Sequence, residues 1–421
     1  MGKKDDLETL MDNLHKMDYQ INNHTISLLD LTLANLHRLD KSIWKQSTIN
    51  LRALVISSSQ IESIQSSALT PLKKSLKLLS LTDNLLKSVP EDILQLEHLE
   101  SLDLSKNQIS SLVLNSVNLF PQGLDTLDLS QNNISSLNSV DLPRGLKHLI
   151  LNQNKIISLG IRHFDLKNLI ELHLSHNHLN GSLARDTFLM VSASANDGKN
   201  KNSNLETLDM SFNKFEKIES QALAKFSRLK TLKLDHNKID VIHPLGFQGL
   251  NGLQKLQLSN NEILDLPNAL FKNLSTLDTL DLSYNHLQSI NKSFTQGLFQ
   301  LSTLYLANND ILFLEPLQDI SEHLFHLDLE HNDLECVCSF LKPFWKWLST
   351  CHNLRYESKK TIVCATPTKF ANAMLTTLDI SNCDEDDTVK DIPSTVSVKV
   401  APIVYIIEGR SPSRHEWNFC I

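Results

Sequence analysis

Apolar and polar positions alternate in one short phrase that returns twelve times along the chain. Its clearest copy reads Leu277-Asp278-Thr279-Leu280-Asp281-Leu282-Ser283-Tyr284-Asn285-His286-Leu287, an L-x-x-L-x-L-x-x-N-x-L frame. The Asn position keeps the register at Ser59, Asn84, Asn107, Asn132, Asn154, Asn177, Asn213, Asn237, Asn261, Asn285, Asn309 and Asn332, in steps of 22 to 25 residues with one of 36. This alternation predicts a short strand that turns Leu277, Leu280 and Leu282 inward and leaves Asp278, Thr279, Asp281, Ser283 and Tyr284 outside or at its edges. One copy cannot bury three leucines, so copies must stack into a parallel sheet over a continuous core. The Asn amide both donates and accepts, and so can satisfy backbone groups where each strand turns.

The frame resembles that of leucine-rich repeats. The resemblance implies an α/β solenoid, a horseshoe whose parallel sheet lines the concave side. Twelve strands about 4.8 Å apart would span an arc of about 55 Å, enough for a protein partner. Phe247, Phe271, Phe294 and Phe164 recur a few residues before the next strand, where stacked aromatics would fill the wider convex side as core. This pattern is similar to the 24-residue repeats of extracellular leucine-rich proteins.

After the last repeat the chain reads Glu335-Cys336-Val337-Cys338, then Trp345 and Trp347, then Cys364 and Asn382-Cys383. This resembles the C-terminal cap of extracellular leucine-rich proteins, which implies disulfides Cys336–Cys364 and Cys338–Cys383. Such a cap would cover the leucines of the last coil, and its bridges would need an oxidising compartment. Zinc held by the cysteines with His352 is the competing reading, disfavoured because structural zinc wants two to four residues within each cysteine pair. Cys351 and Cys420 fall outside the scheme; pairing together, free thiols and a link to another chain all stay open.

The predicted organisation is an atypical segment over 1–50, repeats over 51–334 with a polar insertion near 192–204, the cap over 335–383, and a flexible tail over 384–421. Leu28, Leu31 and Leu33 read as a degenerate first coil serving as N-terminal cap. A solenoid grows by addition, so 421 residues fit one domain. The formal charge of −8 argues against a nucleic-acid partner. No run of 18 apolar residues offers a membrane span, and Met1-Gly2-Lys3-Lys4-Asp5-Asp6 lacks the apolar stretch of a signal peptide. Asn23, Asn133, Asn180, Asn273 and Asn291 lie in N-x-S/T triplets, candidate glycosylation sites placed in connecting segments or, for Asn133, near a coil's edge.

Most outward positions hold Asp, Ser, Thr, Lys or Gln. The exceptions, His148, Ile150, His173, His176, Phe212, His236, Tyr284, Tyr305 and Phe325, are the candidate partner contacts, since exposed aromatics at the centre of a face make hot spots. The histidines could also make binding depend on pH. No metalloprotease, serine-hydrolase or phosphate-loop signature is present. The chain therefore reads as a non-catalytic, cofactor-free recognition module. Its expected partner is a protein ligand or co-receptor, with glycan binding and dimerisation left open. The resemblance to ectodomains of Toll-like receptors and Slit-type proteins implies an extracellular role in immunity, adhesion or development. A matrix or carrier subunit and a cytosolic scaffold are the alternatives.

Overall fold

The computed structural model describes residues 28–33, 36–40, 51–112, 120–137, 142–159, 168–185, 187–188, 203–367 and 371–378. Thirteen strands form one parallel sheet. They are β1 (Leu28–Asp30), β2 (Ala53–Val55), β3 (Leu78–Ser80), β4 (Ser101–Asp103), β5 (Thr126–Asp128), β6 (His148–Ile150), β7 (Glu171–His173), β8 (Thr207–Asp209), β9 (Thr231–Lys233), β10 (Lys255–Gln257), β11 (Thr279–Asp281), β12 (Thr303–Tyr305) and β13 (His326–Asp328). The register is unbroken, so the middle leucines Leu29 through Leu327 form one buried row.

The sheet has one strand more than the repeated phrase, because residues 28–31 add a first coil without it. Within it Leu29 and Leu31 are buried, whereas Leu28 and Leu33 are exposed. Leu28 pairs with Ala53 at an outward position, and Leu33 adopts φ 61°. A shift of one residue along a strand exchanges the faces, so counting leucines does not settle which are inside.

A left-handed residue precedes the register position in every one of these coils, from Ser58 (φ 49°) to His331 (φ 56°). That kink turns the chain off the sheet and delivers the Asn amide into the core. Asn285 shows the wiring. Its Nδ2 donates to the Leu258 carbonyl of the preceding coil at 2.9 Å and to its own Leu282 and Ser283 carbonyls at 3.0 and 3.2 Å, while Oδ1 accepts from Ile263 N–H at 3.1 Å. In the first repeat Ser59 Oγ donates to Leu31 O at 2.9 Å, so the ladder reaches the degenerate coil.

The convex side is packed by Phe247, Phe271 and Phe294, all buried, with ring centroids 6.0 and 5.5 Å apart. Phe188 and Phe226 meet edge to face at 5.2 Å. Phe164 lies outside the described residues. Close approach between coils here requires glycine at Gly297 (φ 88°), where a Cβ would press against the backbone oxygen, carbon (2.8 Å) and Cα (2.9 Å) of Lys272. Gly297→Ala is expected to cost about 2–3 kcal/mol from overpacking and the left-handed backbone combined. A urea midpoint unchanged from the parent protein would contradict this.

Residues 192–202 lie outside the described residues, but Ser203 is fully buried, donates its N–H to Lys225 O at 3.1 Å and accepts from Leu205 N–H at 3.2 Å. Asn180, expected in a connecting segment, instead begins a strand, Asn180–Leu183, that pairs with Lys214–Ile218.

Helix α1 (Cys338–Thr350) turns Leu341, Phe344, Trp347 and Leu348 onto the last coil. Helix α2 (Tyr356–Lys360) follows, with Ser358 Oγ accepting from Leu327 N–H at 3.2 Å. Cys336 and Cys364 are joined by a disulfide with Cα atoms 5.7 Å apart. Cys338 is also disulfide-bonded; Cys383 lies outside the described residues. Cys351 is a buried free thiol, pushed up to about 11 by burial, which leaves it protonated and unreactive at neutral pH. Cys420 lies outside the described residues.

Candidate ligand-binding face

Each strand presents two side chains outward, its first and third residues, so the face is two columns wide. The third-residue column runs Asp103, Asp128, Ile150, His173 and Asp209 across β4 to β8. Its aspartates have structural work. Asp103, Asp128, Asp209 and Asp281 each accept the backbone N–H two residues ahead, from Ser105, Ser130, Ser211 and Ser283, at 2.8 to 3.1 Å. Aspartate favours this local bond because its short side chain reaches the backbone just past it.

The column is interrupted at Ile150 and His173. Where His173 replaces the aspartate, the Ser175 N–H is taken by Asn152 Oδ1 of the preceding coil at 2.8 Å. A neighbour thus performs the structural task, and position 173 is released for something else.

Two imidazoles converge on Glu171 at this interruption. His148 Nδ1 lies 3.1 Å and His173 Nε2 3.6 Å from Glu171 Oε2. Ile150 stands between Asp128 and His173 in the same register. Burial raises the Asp128 carboxyl above its usual range; the Ser130 hydrogen bonds oppose this, Asp103 adds to it, and His173 opposes it. Asp209 is countered by Lys233 at 3.1 Å. Among the described residues no three His, Cys, Asp or Glu groups are arranged to hold a metal ion.

The other candidates fall in different places. His176, Phe212, His236 and Tyr284 all occupy the left-handed column at the strands' C-terminal rim, off the sheet itself. Phe212 is sandwiched between His176 and His236, with centroids 4.0 and 3.9 Å away and planes 13° apart, so it offers an edge rather than a ring face. Tyr284 is exposed on the same rim. Tyr305 is on the sheet and packs against His326, whose Nδ1 is 3.1 Å from Ser358 Oγ of the cap. Phe325 precedes β13 at the opposite edge and carries the Arg355 guanidinium over its ring at 4.1 Å, which makes it part of the cap contact. The sequence reading thus grouped residues that the coil separates into face, rim and cap.

Glu171 and Asn152 escaped that reading. Their signal was positional: Glu171 stacks on His148 in the register and shares its strand with His173, and Asn152 stands where most other repeats carry Ser. Of the glycosylation candidates, Asn180 and Asn273 are exposed, Asn133 and Asn291 half-buried, and Asn23 lies outside the described residues. Asn291 Oδ1 accepts from Ser293 N–H at 2.9 Å.

The leucine rich repeat family matches residues 49–109, 203–263 and 251–311. Fibromodulin of Sus scrofa is 35% identical over 153 residues, covering 35% of this chain and 92% of that sequence. The chain belongs to the leucine-rich repeat family. Among solved structures it is similar to Toll in the Drosophila Toll–Spatzle complex (TM-score 0.62, 21% identity, 84% of this chain, 51% of that one). It is similar also to the leucine-rich repeat domain of APL1B (TM-score 0.62, 21% identity, 82% of this chain, 91% of that one). The chain therefore spans about half the length of that Toll chain, and these likenesses concern the fold.

Proposed function

We propose that this chain is an extracellular, non-catalytic recognition module that binds a protein ligand on the solvent face of its sheet, centred on His148, Ile150, Glu171 and His173. The observation that carries the reading is the broken aspartate column, in which Asn152 assumes the backbone bond and leaves an apolar side chain among imidazoles and carboxylates. Ile150 is half-buried, and a half-buried apolar residue rimmed by polar groups at the centre of a face suits an interface hot spot. Partner binding by a relative of the same fold, Toll with Spatzle, supports the reading. The Cys336–Cys364 bridge favours an oxidising compartment over a cytosolic scaffold.

The immobilised chain should capture one or more proteins from conditioned medium. Ile150→Glu is expected to abolish that capture, and Leu264→Glu, at an exposed position off the strands, to preserve it. Equal capture by both variants would discard this face.

A further inference from the structure

The strand-face positions of β4 to β8 carry four carboxylates, Asp103, Asp128, Glu171 and Asp209, and no Lys or Arg. The nearest cations are already paired: Lys147 to Asp125 at 2.9 Å and Lys230 to Glu206 at 2.7 Å beside the face, and Lys233 to the buried Asp209 itself at 3.1 Å, which leaves Asp103, Asp128 and Glu171 without a Lys or Arg partner among the described residues. These carboxylates lie on separate strands, so a ligand that meets them all extends across the sheet. Four strand steps of about 4.8 Å make about 19 Å, the reach of about six extended residues.

We infer that this face docks a cationic, extended protein segment, with Lys or Arg side chains opposite the carboxylates and an apolar side chain on Ile150, and that acidification releases it. The inference rests on the protein-binding reading above and specifies its partner. Asp103 and Asp128 are neighbours in the outward column, and their repulsion adds to the burial that chiefly raises the Asp128 carboxyl, against the Ser130 hydrogen bonds and His173.

The pH response follows from the groups around each imidazole. His148 is faced by Asp128 and Asp125 on the β5 side, with Asp125 held by Lys147, and by Glu171 and His173 on the β7 side. His173 is flanked by Glu171 on its own strand, lies opposite Asp209 with its Lys233 on the β8 side, and has Asp128 beyond Ile150 on the β5 side. Imidazole changes charge between about pH 5 and 8. Formally Asp103, Asp128 and Glu171, the carboxylates that Lys233 leaves uncompensated, give the face three negative charges with neutral imidazoles and one with both protonated. Protonation also engages Glu171 internally and withdraws it from the incoming cation.

The test uses the full chain and a fluorescent hexapeptide of four arginines around two leucines, read by anisotropy at pH 7.4 and 5.5. Peptides with glutamate or serine replacing arginine are the controls. Expected is binding of the arginine peptide alone, weakened about fivefold at pH 5.5, a size in keeping with two half-exposed charge interactions. Glu171→Gln with Asp128→Asn should weaken binding at pH 7.4, and in His148→Gln with His173→Gln the ratio of the affinities at pH 7.4 and 5.5 should fall to about one, whatever the affinity at either pH. The inference is overturned if the carboxylate variants bind as tightly as the parent, or if the pH response survives without the histidines. If the arginine peptide fails while Ile150→Glu still loses a captured protein, the face binds a ligand of another charge and only this inference falls.

Discussion

Asn285→Ala is expected to lower the unfolding free energy by about 2–4 kcal/mol, a large effect for one surface-to-core turn. The substitution removes four hydrogen bonds at once. Leu258 O keeps a second donor in Asn261 Nδ2 at 3.0 Å, but Ile263 N–H loses the acceptor it had in Asn285 Oδ1. An orphaned buried donor costs about 1–3 kcal/mol, and the lost contacts with Leu282 and Ser283 add to it. Asn285→Asp should be at least as harmful, because a carboxylate keeps an acceptor for Ile263 yet turns negative oxygen toward three carbonyls. Asn332→Ala, at the less buried end of the ladder, should cost less. Urea unfolding of the three variants provides the check; equal midpoints for Asn285→Ala and the parent would refute the ladder's energetic role.

Replacing Cys336 and Cys364 together by serine should cost about 3–4 kcal/mol, the loop-closure value for a sequence separation of 28. The loss should be local at first. A solenoid's coils touch only their neighbours, so an undone cap exposes β13 and then β12, while β2 to β4 keep their contacts. The cap is tied to the sheet by Arg355 N–H to Phe325 O at 3.0 Å and by Ser358 to Leu327. Hydrogen exchange should therefore accelerate over 303–334 and remain unchanged over 53–103. Uniform acceleration along the chain would show that the coils unfold as one unit and that the cap has no local role.

The two effects differ in how plainly they could be read beforehand. The ladder was legible because Asn recurs at one spacing, and only an inward amide with backbone partners explains a polar residue kept among leucines. The phenylalanines of the convex side were legible for the same reason. Register within the first coil was not: Leu28, Leu31 and Leu33 and their neighbour Leu29 are chemically alike, and only pairing with Ala53 and Leu54 separates outward from inward.

The binding face was half legible. Departures from the repeat marked His148, Ile150 and His173 correctly as outward, yet they also gathered Phe212 and Phe325 into the same surface. A coil carries its side chains around a closed path, so residues three apart, like His173 and His176, leave in different directions once the left-handed turn intervenes. Glu171 looked like one more solvated strand residue. Its meaning came from His148, 23 positions earlier and brought to 3.1 Å by stacking.

The repeat alone dictated a stacked parallel sheet and its Asn ladder, because a periodic pattern admits one way of burying its leucines. Tertiary packing decided the inward leucines of the first coil, the wedging of Phe325 under Arg355, and the transfer of an aspartate's duty to Asn152. Those outcomes depend on contacts between successive coils, whose distances arise only when they are stacked.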